Sequence, residues 1–288
     1  MLSRLLNYGR MIKFGHTVFA LPFAFAGAAL AFADFPDFRD PIKLLWITLA
    51  MIGARSAAMG FNRLMDRHID ASNPRTSMRE LPAGKISARH TAIFVVFFVL
   101  LFITSAFMLN KLAFYLSPVA LLVILGYSLT KRFTSYTHFV LGLGLGLAPL
   151  GAWIAITGQF NMLPVVLAAG VLLWVAGFDI IYACQDYDYD RNHQLFSLPV
   201  RIGLKNALLL TRILHLLAII LFVWVGLLFA AHIVYYIGML IIFGLLLWEH
   251  SIIRADDLTR IDMAFFNLNG TVSIIYLLTV LFALYLEH

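Results

Sequence analysis

Two clusters of oxygen-bearing side chains interrupt an otherwise apolar chain, and they repeat one spacing. The first runs Asn62, Asp66, Asp70; the second runs Asp179, Tyr182, Asp186, Asp190. On a helix of 3.6 residues per turn, steps of four keep side chains on one face, rising about 6 Å per step. Rows of carboxylates at the ends of apolar segments are costly to keep, and two rows ask for a shared cation. Oxygen donors of this kind suit a hard divalent ion such as Mg²⁺, which bridges protein carboxylates to the phosphates of a substrate. Asn62, Asp66, Asp70, Asp179, Asp186 and Asp190 are therefore the candidate metal ligands. Asn62 offers a neutral carbonyl at the deep end of its row. Tyr182 has two readings, a hydrogen-bond donor to a phosphate oxygen or a packing residue. A solvated set of loop acids paired with Arg67, Arg75 or Arg191 explains one such cluster, but not two that share spacing and side.

Basic residues near these rows suit an anionic substrate. Arg55 lies two turns before Asn62 on the same stripe, inside an apolar run, where an unpaired guanidinium is expensive. A diphosphate, the first acid row or an acid on another helix would satisfy it. Tyr127 and Lys131 form an i, i+4 pair at the end of another apolar segment, with Lys131 either a mobile charge for phosphate or an interfacial anchor.

The elements that must position these residues are membrane spans. Of 288 residues 62% are hydrophobic and 12% charged, with mean hydropathy +0.89. A soluble domain carries about a quarter charged residues. Segments of about 20 apolar residues occur at 14–33, 42–66, 91–109, 112–130, 136–157, 162–184, 206–229, 231–249 and 263–286. The expected fold is thus all-α and polytopic, nine transmembrane helices in a single domain over 1–288, around a central cavity open to the cytoplasmic side. No cleavable signal peptide is expected. The connections holding Arg75, Arg79, Lys131, Arg132, Arg191, Arg201, Arg254 and Arg260 are basic. The alternate connections at 34–41 and 158–161 are not, which places the N-terminus inside and the C-terminus outside. Both acid rows then face the cytoplasm.

Several classes fall away. The net charge of +6 sits in connections between spans, so no nucleic-acid face exists, and nothing predicts a protein partner. The single cysteine, Cys184, forms no internal disulfide and no cysteine metal site. Gly142, Gly144 and Gly146 lie in an apolar span with no strand before them, which favours close helix packing over a nucleotide loop. A cation transporter would carry its carboxylates near the bilayer midplane on paired helix breaks, whereas both rows sit at span ends. A CDP-alcohol phosphotransferase would need an Asp-Gly ahead of Ala54-Arg55, and none precedes it.

The Asn-x-x-x-Asp-x-x-x-Asp row at Asn62, Asp66 and Asp70 and the Asp-x-x-x-Asp row at Asp186 and Asp190 resemble the UbiA-type intramembrane prenyltransferases over nearly the whole chain. Asn73 to Gly84 resembles the loop that closes over the site in that family, and Ser197 to Gly203 a second loop. The resemblance implies nine helices, two Mg²⁺ ions and an allylic polyprenyl diphosphate donor in a lipid-facing tunnel. It also implies a small aromatic acid as acceptor, in ubiquinone or menaquinone biosynthesis at the inner membrane. Asp66, Asp70, Asp186 and Asp190 would be catalytic through the metal. Arg55, Arg75, Arg79 and Lys131 would neutralise the departing diphosphate. Lys13 and His16 would hold the acceptor or serve as interfacial anchors. Gly53 to Ala58, Asn62-Arg63 and Arg79-Glu80-Leu81-Pro82 look most like 4-hydroxybenzoate polyprenyltransferases. A related group acting on 1,4-dihydroxy-6-naphthoate is very similar, and Glu80 stands where the usual loop has proline.

Overall fold

The computed structural model describes residues 8, 9, 11 and 19–286. Lys13 and His16 lie outside the described residues. Helix α1 spans Leu21–Asp34, α2 Pro41–Ser72, α3 Ala88–Leu109, α4 Lys111–Thr130, α5 Thr137–Thr157 and α6 Met162–Ala183. After a 3₁₀ turn at Cys184–Asp186 come α7 Tyr187–Asn192, α8 Leu198–Ile202, α9 Leu204–Leu228, α10 Ile233–Ile252 and α11 Ile261–Leu286. Among the described residues there is no strand, only an isolated bridge between Arg254 and Asp257. Eight helices are long and apolar enough to cross a membrane, and α1 adds a shorter apolar helix of 14 residues. The first of the nine expected spans therefore falls partly outside the described residues.

Local signals explain most boundaries. Asp40, Ser87, Asn110 and Asn161 cap the N-termini of α2, α3, α4 and α6 by accepting backbone N–H bonds. Asn73 precedes Pro74 and is extended, which ends α2. That end comes six residues beyond the expected span at 42–66, so the whole Asn62–Asp66–Asp70 row rides on one uninterrupted helix. Gly158 closes α5 in the left-handed conformation, at φ 70°.

Sequence neighbours pair around the bundle: α2 on α3, α4 on α5, α5 on α6, α6 on α9, α10 on α11, with α1 set against α5 and α11. Gly142 and Gly146 let α5 ride directly on the backbone of α6 at Leu172 and Ala168, the close packing expected for that glycine run. The core lies on this side, where Phe23, Trp153, Trp174, Phe222, Tyr235 and Tyr276 are fully buried. On α3, Ile93, Val96, Phe97, Leu100 and Phe107 point outward at helical spacing, an apolar stripe that suits lipid. Between the packed side and helices α2–α4 lies a cavity of about 460 Å³. Its wall runs along α4 from Tyr127 to Ala113, roughly 20 Å of helix.

Candidate active site

The site forms at one end of that cavity, where α2 delivers its last three turns. Asp66 and Asp70 are 2% and 4% exposed, and Asn62 Nδ2 donates to Asp66 Oδ2 over 3.0 Å. Each acid is held by a cation from elsewhere. Lys131, just past α4, lies 2.7 Å from Asp66 Oδ2, and Arg132 Nη2 lies 3.7 Å from Oδ1. Arg79, from the loop after α2, donates to Asp70 Oδ1 over 2.7 Å, while buried Arg63 stands 4.0 Å from Oδ2. Buried carboxylates need such partners. Among the described residues one oxygen of each has no hydrogen-bond partner: Asp66 Oδ1 and Asp70 Oδ2.

The second row crosses a change of helix type. Helix α6 stops at Ala183, and the 3₁₀ turn at Cys184–Asp186 rotates the chain beyond it, so Asp179, Tyr182, Asp186 and Asp190 belong to three elements. Arg75, from the loop after α2, grips both oxygens of Asp186, with Nε 2.9 Å from Oδ1, and its Nη1 donates to Tyr182 Oη over 2.9 Å. Asn73 Nδ2 adds a bond of 3.1 Å to Asp186 Oδ1. Burial alone would lower the pKa of Arg75, but its bonds to Asp186 and Tyr182 raise it above the ordinary arginine value. Asp179 Oδ2 pairs with His138 Nδ1 at 2.7 Å. Asp190 is half-buried, within electrostatic reach of Asp186, Lys131 and His138.

Tyr127 lies near both rows. It lies within electrostatic reach of Arg55 and Arg63 and of one acid from each row, Asp66 and Asp179. Arg55 and Tyr127 also line the apolar cavity, beside Ala54, Ala58 and Met59. Arg55 Nε and Nη2 are buried and bonded to nothing among the described residues, so neither acid row satisfies it. The end product is a long apolar channel with a lone guanidinium at its head and two acid–base arrays beyond.

The sequence matches a known family over most of its length. The model of the UbiA prenyltransferase family covers residues 20–271. This chain belongs to the UbiA prenyltransferase family. Among curated UbiA relatives, the 4-hydroxybenzoate octaprenyltransferase of Tolumonas auensis is 31% identical over 247 residues, 86% of this chain and 85% of that protein. The enzyme of the same name from Vibrio cholerae is 33% identical over 251 residues, covering 83% of each. The apo UbiA homolog from Aeropyrum pernix K1 superposes with TM-score 0.84 at 32% identity, over 93% of this chain and 97% of that one. The UbiA homolog from Archaeoglobus fulgidus bound to DMAPP and Mg²⁺ shares the fold with TM-score 0.74 at 21% identity, over 97% of this chain and 99% of that one.

The donor set of this UbiA chain fits a divalent cation. Asp66 Oδ1 and Asp70 Oδ2 are hard, buried oxygens with unused lone pairs, one helical turn apart. Among the described residues no three His, Cys, Asp or Glu side chains converge to hold an ion alone. An ion here would complete its shell with water or substrate oxygens, the usual habit of Mg²⁺. Reading the sequence placed Asn73 in the closing loop, Arg63 in the first motif and Arg132 in a basic connection, but gave no site role to these three or to His138. Arg132 carried the signal of its neighbour Lys131, and Arg63 that of adjacent Asn62; His138 carried none.

Proposed function

We propose that this chain transfers a polyprenyl group from an allylic polyprenyl diphosphate to 4-hydroxybenzoate, a step of quinone biosynthesis at the inner membrane. The observation that carries the reading is the junction at Arg55 and Tyr127, where an apolar channel meets paired carboxylates and cations. A prenyl diphosphate has the matching halves, a greasy tail and a polyanionic head. The names of the curated relatives supply the acceptor.

In the proposed chemistry the C1–O bond of the donor breaks and its electron pair leaves with the diphosphate. The allylic cation then bonds to a ring carbon ortho to the phenol oxygen, and loss of the ring proton restores aromaticity. Two Mg²⁺ ions, held through Asp66 and Asp70 on one side and Asp186 and Asp190 on the other, would supply Lewis-acid stabilisation of the leaving group. Arg55 would meet the diphosphate at the mouth of the channel, its unbonded nitrogens becoming donors. Arg75, Arg79 and Lys131 hold the acids here and are placed to exchange them for phosphate oxygens, stabilising charge that peaks as the bond breaks. The cavity wall from Ala54 to Phe160 would shield the tail and keep water from the cation. The excess of lysine and arginine in the loops supports a cytoplasmic placement of this end, in a fold that would have nine spans.

The test is a prenyl-transfer assay on membranes holding the protein, with geranyl diphosphate and Mg²⁺. It offers 4-hydroxybenzoate and 1,4-dihydroxy-6-naphthoate in parallel, the second because Glu80 departs from the usual proline. Prenyl-4-hydroxybenzoate, lost on chelation, is the expected product. Prenylation of the naphthoate alone would move the chain to that pathway, and no prenylation of either would overturn the acceptor class.

A further inference from the structure

A buried polar trio lies away from the acid rows, and nothing in the proposed chemistry uses it. Glu249 of α10, Asn269 of α11 and Trp174 of α6 are all 0% exposed. Asn269 Oδ1 accepts from Trp174 Nε1 over 2.8 Å, and its Nδ2 donates to Glu249 Oε1 over 2.7 Å. The same Nδ2 donates to the carbonyl of Ala264 over 3.1 Å. Ala264 opens a π-helical turn, Ala264–Leu268, in the first part of α11. Glu249 Oε2 has no hydrogen-bond partner among the described residues, and His215 Nδ1, itself hydrogen-bonded with His250 Nε2, lies 3.5 Å from that oxygen. Polar side chains inside an apolar bundle are costly to keep, so their placement calls for a reason. Here they converge on the one place where α11 departs from α-helical geometry.

That departure aims a ring at the site. One extra residue in a turn rotates the preceding residues by about 100° relative to a regular α-helix. With the π turn present, Phe265 lies 4.3 Å from the Tyr182 ring, and 5.3 and 5.4 Å from those of Phe178 and Phe19. Tyr182 in turn receives Arg75, the residue that grips Asp186. Phe265 is the second residue of that turn, so a regular helix through 264–268 would change its direction relative to the rest of α11 and weaken its contact with Tyr182.

We infer that Asn269, held by Glu249 and Trp174, is a positioning residue for donor binding. It stabilises the π turn, so that Phe265 buttresses Tyr182 and through it the Arg75–Asp186 pair. This rests on the prenyl-diphosphate reading above. The full-length protein in detergent is assayed for Mg²⁺-dependent binding of geranyl diphosphate and for thermal stability. The set is wild type, Asn269→Leu, Phe265→Leu, their double variant, Glu249→Gln and Glu249→Leu. Asn269→Leu and Phe265→Leu should each weaken binding about fivefold to tenfold, and the double variant no further, since the two act in one chain. Glu249→Gln keeps an acceptor for Asn269 and should bind as wild type does, whereas Glu249→Leu should match Asn269→Leu. That pair carries the test if Asn269→Leu does not fold. Effects that multiply in the double variant, or a lowered Tm with unchanged binding, would make the trio merely structural and overturn the inference. Wild type that binds no geranyl diphosphate would overturn the donor reading, and this inference with it; wild-type binding with all variants equal to it would overturn this inference alone.

Discussion

The two acid arms bear the same residue types and are built in different ways. Asn62, Asp66 and Asp70 sit on a single 32-residue helix, deep in the structure. The side chains of Asp66 and Asp70 are 3% and 5% exposed, against 19% for both Asp179 and Asp186. The second arm is broken by a 3₁₀ turn, and its central acid is gripped by an arginine from a loop. A continuous helix fixes spacing by geometry alone, so the first arm is a rigid wall. The second takes its shape from the bonds of Arg75 and Asn73, both in the loop after α2, to Asp186 and Tyr182. A site that must admit a long donor and then enclose its head profits from one fixed and one adjustable side.

Charge removal on the fixed wall should have the largest effect. Asp66→Asn and Asp70→Asn should each lower turnover by about a thousandfold, ~4 kcal/mol of barrier, as measured by prenyl transfer. Their stabilities should differ. Lys131 and Arg132 beside Asp66 are partly exposed, whereas Arg63 beside Asp70 is buried. Asp70→Asn strands that guanidinium and should lower Tm more; equal Tm values would break the picture of a buried, fixed wall.

Loosening the adjustable wall should cost less. Arg75→Gln removes the grip on Asp186 while leaving the acid in place. It should lower activity by about tenfold to a hundredfold, the usual effect of losing a residue that orients a metal ligand. A loss as deep as that of Asp66→Asn would mean that Arg75 meets the reacting groups directly, and would erase the contrast between the arms.

The smallest effect lies in the channel. Gly151 borders the cavity, and a Cβ there meets nothing within 4 Å. Gly151→Leu should fold normally and narrow the channel far from the acids. Turnover of geranyl diphosphate should change by less than about threefold, while longer donors lose about tenfold in apparent affinity, a few buried methylenes' worth. Product analysis with donors of graded length checks this. Equal losses for all lengths would place the tail elsewhere.

The same contrast explains what the sequence disclosed. The first arm was legible because an unbroken apolar helix carries the i, i+4, i+8 pattern straight into space. In the second, the 3₁₀ turn at Cys184–Asp186 was not legible, because Ala183-Cys184-Gln185 holds no glycine or proline to mark it. The arm's geometry is set by Arg75, which is distant in sequence. His138 reaches Asp179 only because Gly142 and Gly146 set the register of α5 on α6, a tertiary fact. Arg55 stood out as an arginine in an apolar run, and the structure gives the reason for attention: its Nε and Nη2 are buried at the channel mouth with no hydrogen-bond partner among the described residues. A cavity and tunnel were expected, but their walls were not legible, because the residues that leave the channel open, Ala54, Ala58, Gly144 and Gly151 among them, look like ordinary helix packing.

The central claim is that the acid arms bind a divalent cation together with a prenyl diphosphate. Its most direct test is calorimetric Mg²⁺ binding to the purified protein with and without geranyl diphosphate. Coupled binding is reciprocal, and the account predicts that donor tightens Mg²⁺ by at least about tenfold, ~1.4 kcal/mol of coupling, with the gain abolished in Asp66→Asn. Mg²⁺ affinity that is the same with and without donor would contradict it and point to cation handling without prenyl chemistry.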